Sequence, residues 1–292
     1  MPLRLQGGAR HVFLSDAVLN IVTIFNRDGT TSTLSGFQEP QGLTSDASGN
    51  LYVADTIDAR IAVFAPPYRN KPVSVLPDSG EWPVDVAVAK DGTVAAVNIC
   101  QPSGSRCSGP GGIVFYANNQ SQTPCTTVRG NSNMTAMLWD AFDANGNLYF
   151  TAVLNYSKVV IARVSGECNA TSLTVLKANS DIVWAAGVQV DPNDNVVILN
   201  GFGNSGAPSI DVFKAASGSR KLKLLTQAPL LDSGTISSFA LTKDGSTLYT
   251  AEPHYSLAYA YPQGGYLEAQ LTPPPSGGDL IEGVAVVPAE VP

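Results

Sequence analysis

Glu252 and His254 stand two residues apart in Glu252-Pro253-His254-Tyr255. A carboxylate beside an imidazole is the pairing that general acid–base catalysis uses. Glu282, in Glu282-Gly283-Val284, is a third candidate for such work. His11 and His254 are the only histidines of the chain, too few for a lyase that holds zinc or iron on several inward imidazoles. Gly-X-Ser-X-Gly does not occur, and no cysteine stands in a nucleophile setting. An uncatalytic surface role is the alternative for His254.

Other residues suit binding rather than bond-making. Trp82 follows Glu81, and Trp184 follows Ile182-Val183. An aromatic ring near a carboxylate stacks on a sugar or apolar ring and hydrogen-bonds its hydroxyls. Packing of these rings between structural units is the competing reading. Asn98 and Asn200 each close an apolar run with an amide.

The four cysteines are Cys100, Cys107, Cys125 and Cys168, with no Cys-X-X-Cys pair. Zinc sites of the usual spacing are therefore not expected. An even count in a lysine-poor chain rich in Ser, Thr and Asn points to two disulfides and a secreted or periplasmic protein. Met1-Pro2-Leu3-Arg4 lacks the apolar core of an export signal, so the chain reads as starting at a mature N terminus.

The formal charge is −7, and Arg220-Lys221-Leu222-Lys223 is the one basic cluster. Phosphate neutralisation needs a basic face, so nucleic acid is not an expected partner. No run approaches the ~20 apolar residues of a membrane span. Charged residues are only 14%, against 27 Gly and 20 Pro, which argues for neither disorder nor a helical protein.

The elements that must position these residues repeat along the chain. Leu43–Ser45, a turn at Ser45-Asp46-Ala47-Ser48-Gly49-Asn50, and Leu51-Tyr52-Val53-Ala54-Asp55 read as strand, tight turn, strand. The turn glycine returns at Gly92, Gly146 and Gly245, with Asp194 in its place in Asp191-Pro192-Asn193-Asp194-Asn195. Intervals of 43 to 54 residues with four short strands each mark a β-propeller. The reading is all-β: a single six-bladed propeller of four-stranded antiparallel blades, expected to be a monomer. Its repeats run over 37–79, 80–132, 133–181, 182–234 and 235–280. The remaining blade combines 8–36 with 281–288, the C-terminal strand Gly283–Val287 pairing with His11–Ser15. Pairing the chain ends covers edges that a seam would expose.

Pro40-Gln41-Gly42-Leu43, Asp46 to Thr56 and Arg60-Ile61-Ala62-Val63-Phe64 together resemble an NHL repeat. The other blades share only its strand–turn–strand core. The resemblance implies a binding platform. More distantly the chain is similar to the gluconolactonase and senescence-marker-like propellers, which hold a divalent cation on the axis. The ligand positions that this likeness implies fall on Gln41, Val84, Leu138, Ala186, Ser237 and Glu282. Glu282 is the one carboxylate among them, whereas calcium wants six to eight oxygens. No metal or other cofactor is expected.

The repeat register puts the ends of the second strands, at Asp16, Asp55, Asn98, Thr151, Asn200 and Glu252, on one face, called the top. The long loops 99–111 and 201–208 lie there too, and a Cys100–Cys107 bridge would pin the first. Cys125 and Cys168 fall at the outer rim of adjacent blades, within bridging reach. The expected site is a top-face pocket lined by Trp82, Trp184, Asn98, Asn200, Glu252 and Glu282. It would take a small molecule, glycan or protein partner, neutral or weakly cationic, without a metal. The alternative is a lactonase-like hydrolase or lyase working through Glu252, His254 and Glu282 on a small cyclic or glycosidic substrate.

Overall fold

β-Branched and aromatic runs separated by Asp-Gly and Asn-containing turns build six four-stranded antiparallel blades in a ring. The structure is a computed structural model, and it describes residues 5–103, 106–201, 208–216, 218–274 and 278–288. Strands are lettered A to D from the axis outward. Blade 2 shows the pattern: A is Pro40–Ser45, B is Leu51–Asp55, C is Arg60–Phe64 and D is Ser74–Pro77.

Blade 1 closes the ring. The C-terminal strand Ile281–Pro288 is its strand A and pairs with Ala9–Asp16, in the register Phe13 opposite Ala285 and Leu14 opposite Val284. Ile21–Asn26 and Thr31–Ser35 complete the sheet.

The hydrophobic core is divided among the joints of the ring. Among the described residues there are six apolar clusters, one between each neighbouring pair of blades. Phe13 and Ile24 of blade 1 meet Val53 and Phe64 of blade 2, for example. Blade strands are thus buried on both faces, which explains their continuous apolar runs.

The turns between A and B are fixed by their own side chains. Asp46 Oδ1 accepts from the backbone N–H of Ser48 and Asn50 at 2.9 Å, and Gly49 sits at φ 80°. Asp143 and Asp191 repeat the arrangement. Asp194 takes the left-handed position, φ 56°, that Gly fills elsewhere.

Three details depart from the sequence reading. Strand A of blade 4 begins early, at Met134, and runs to Phe142 through a register break between Met137 and Asp140. The top loop of blade 3 contains a small hairpin, Gln101–Ser103 with Arg106–Gly109. Lys177–Ala178 adds a short parallel strand to the outer edge of blade 5. Both disulfides form as expected, Cys100–Cys107 within the blade 3 loop and Cys125–Cys168 between blades 3 and 4. Two such bridges belong to an oxidising compartment. No helix among the described residues is long and apolar enough to cross a membrane.

Candidate functional site: the top rim and the axis

The polar ends of the B strands face the loops that lead into strand A of the same blade. Asp55 Oδ1 accepts the Gln38 N–H at 2.7 Å, and its Oδ2 holds Arg60 Nε at 2.8 Å. Asp16 Oδ2 accepts the Asp279 N–H at 2.7 Å. Asn200 Oδ1 accepts the Val183 N–H at 3.1 Å, while its Nδ2 donates to Asp181 O and Asp211 Oδ2. Glu252 accepts from the Ser233 hydroxyl at 2.7 Å and the Gly234 N–H at 2.9 Å. Each side chain gives an otherwise orphaned loop donor a partner. In these four blades the top loop is pinned to its own strand B.

Glu252 is sealed from solvent, and burial pushes its carboxyl above the usual range despite these donors. His254 is exposed, and its Nδ1 lies 2.7 Å from Gly278 O. The two side chains thus turn to different partners. Asn98 is buried, with its Oδ1 unpartnered among the described residues, beside Asp78. Burial raises Asp78 to about 7.

Trp82 is half-buried, and its carbonyl accepts the Ile99 N–H at 3.0 Å. Trp184 is 45% exposed, with its ring against Gly201, where an added Cβ would stand 3.0 Å from Cδ1. The two rings lead into blades 3 and 5, so blade 4 separates them. The loop 201–208 that the sequence reading placed nearby lies, at 202–207, outside the described residues.

Glu282 sits in a register break of strand A, between Ile281 opposite Asp16 and Gly283 opposite Ser15. Its carboxyl is raised by burial first and by the charge of Glu39, against a hydrogen bond from Ser237. Gln41 Nε2 donates to Glu39 Oε1 at 3.0 Å. Glu39, Gln41, Ser237 and Glu282 therefore gather at the top of the inner strands of blades 6, 1 and 2.

This group does not fit a divalent cation. At the positions that the family likeness implies, Val84 and Ala186 are buried apolar groups. Among the described residues no three His, Cys, Asp or Glu side chains come together as metal ligands. Two carboxyls, Glu39 and Glu282, with one amide and one hydroxyl fall short of the six to eight oxygens that calcium takes.

Sequence reasoning missed a second acidic pair. Asp85 and Asp140, in the A strands of blades 3 and 4, are both buried and adjacent. Their signal was a carboxylate inside each apolar strand, Val84-Asp85-Val86 and Trp139-Asp140-Ala141. It also expected concavity on the top face. Cavities of about 730 and 830 Å³ open on the bottom, ringed by the A–B turns.

The NHL repeat family model matches residues 37–64. No curated protein matches the chain in sequence. A Bacteroides caccae protein of unknown function is similar in structure at 10% identity and a TM-score of 0.65, over 96% of this chain and 99% of that one. A proposed 6-phosphogluconolactonase from Bacteroides uniformis is similar at 14% identity and TM-score 0.60, over 96% and 100%. Virginiamycin B lyase from Staphylococcus aureus is similar at 13% identity and TM-score 0.55, over 82% and 73%. At such identities these likenesses establish the six-bladed propeller fold, with an NHL repeat at residues 37–64.

Proposed function

We propose that the protein is an exported, metal-free binding propeller whose ligand meets the top of the axis beside Glu282, with Trp82 and Trp184 on the rim. One observation carries the reading. The only carboxylate among the six axial positions is half-buried, raised, and flanked by Ser237 and Glu39. That arrangement suits a neutral hydroxyl-bearing or weakly cationic group better than a metal. Asn98, Asn200 and Glu252 support the rim from beneath. The two disulfides support export.

The lactonase- or lyase-like alternative draws support from the names of two structural neighbours. It asks Glu252 and His254 to act together, and their hydrogen bonds lead apart.

Titration with cellobiose, a neutral probe, and choline, a cationic one, tests the proposal through tryptophan fluorescence. Saturable quenching that Glu282→Gln weakens is expected. A response that needs added calcium or zinc would overturn it.

A further inference from the structure

The bottom-face cavity of about 830 Å³ lies at the seam of blade 1. Among the described residues its lining carries three cationic side chains, Arg10, Arg27 and Lys243, and one carboxylate, Asp244. That balance is unusual in a chain of net charge −7. The neighbouring axial cavity has the opposite balance, with Lys90 and Lys243 against five aspartates.

Chain closure brings Lys243 of blade 6 to the same cavity as Arg10 and Arg27 of blade 1. Arg27, in the turn after Ile21–Asn26, donates its backbone N–H to Arg10 O at 3.1 Å. Neither the Arg27 guanidinium nor the Lys243 ammonium has a hydrogen bond or ion pair among the described residues. Asp244 is occupied by Thr242 and Ser246, whose hydrogen bonds hold it below the usual carboxylate range.

One wall of the cavity is aromatic. His11 meets Tyr68 edge-on at 5.2 Å, and Tyr68 is fixed by its hydroxyl bond to Gly49 O at 2.8 Å. Pro66 and Val287 extend it. A rigid ring-lined wall in a cavity with several cations matches a ligand with a planar body and an oxyanion head.

We infer that this seam pocket is a second binding site, for a small cyclic organic anion bearing a phosphate or a carboxylate. The head group lies at Arg27 and Lys243, and the ring packs against His11 and Tyr68. The site is independent of the top face.

Calorimetric titration of the full chain with phenyl phosphate, benzoate and neutral benzamide tests this. One-to-one binding of an anion is expected, with benzamide silent, and the stronger of the two anions identifies the head group. Arg27→Gln and Lys243→Gln, both exposed, should each weaken it about tenfold, the scale of one charge-assisted hydrogen bond. Lys221→Gln with Lys223→Gln, which removes charge elsewhere, and Glu282→Gln should leave it unchanged. No saturable heat from either anion overturns the inference. So does equal binding of benzamide, an affinity indifferent to Arg27 and Lys243, or equal weakening by the Lys221 and Lys223 changes.

Discussion

The backbone N–H of Asp140 donates to Asp85 Oδ2 at 2.9 Å across the joint between blades 3 and 4. Neither oxygen of the Asp140 carboxyl meets an N–H or hydroxyl donor among the described residues. The remaining donor is a proton held between the two acids. Burial raises both carboxyls, Asp85 to about 7, and the charge of Asp85 raises Asp140 further.

The pair therefore binds protons more tightly in the folded chain than in the unfolded one. Its contribution to stability is full below the ordinary carboxylate range and is lost as pH rises through about 7. Asp140→Asn supplies an N–H donor in place of the proton. The variant should gain ~1–3 kcal/mol over the parent at alkaline pH and little in acid. Urea midpoints measured across the pH range check this, and parallel curves for the two proteins would refute it.

Gly42 and Gly283 occupy the same joint-facing place in strands A of blades 2 and 1. A Cβ on Gly42 would meet the Asp85 Cα at 2.6 Å, and one on Gly283 would meet Gln41 O at 2.2 Å. Both obstacles are backbone, which cannot swing aside. Gly42→Ala and Gly283→Ala should each cost ~1–3 kcal/mol or more by overpacking. Removing residues 283–292 takes away most of strand A of blade 1 and should abolish cooperative melting. Circular dichroism melts decide both, and a truncated chain that melts like the parent would exclude the closure as the stabilising element.

The two disulfides should differ in worth. Cys125–Cys168 spans 43 residues and ties blade 3 to blade 4, whereas Cys100–Cys107 spans 7 within one loop. Loop-closure entropy assigns about 4 kcal/mol to the first and about 2 kcal/mol to the second. Paired Cys→Ser variants compared in denaturant should keep that order. Equal losses would show that the outer bridge constrains little of the unfolded chain.

Much of the ring was legible because its signals are local. Asp46, Gly49 and Asn50 write one turn within five residues, and Asp143 and Asp191 write it again. The strand Leu51–Asp55 was read to the residue. Strand A of blade 4 was not, because its first residues pair across a register break that Leu138-Trp139 does not announce. Site geometry was less legible still. Asp85 and Asp140 are 55 residues apart in sequence and meet only through the packing of two blades. Arg10, Arg27 and Lys243 converge only once the chain ends are joined. The polar strand ends were placed on the top rim, but their hydrogen bonds to the incoming loops depend on backbone direction, which residue types do not carry.

The top-face proposal makes the last prediction. Glu282 is held above the usual carboxylate range by burial and by Glu39, so it ionises at a higher pH than an exposed glutamate. A permanent cation such as choline favours the ionised form. Its affinity should rise with pH through the Glu282 transition and level off above it, and Glu282→Gln should flatten the curve. Trp184 is 45% exposed and is held at its backbone by Gly201 and Asn200. Trp184→Ala should therefore leave the melt nearly unchanged. If its ring faces the ligand, the loss of cation–π or stacking contact should cost ~0.5–2 kcal/mol of binding. Trp82 is half-buried, so Trp82→Ala should lower both stability and affinity. Fluorescence titrations across pH, run beside melts of the same variants, separate these effects. A pH-independent choline affinity, or full binding by the doubly substituted chain, would remove Glu282 and the two tryptophans from the site.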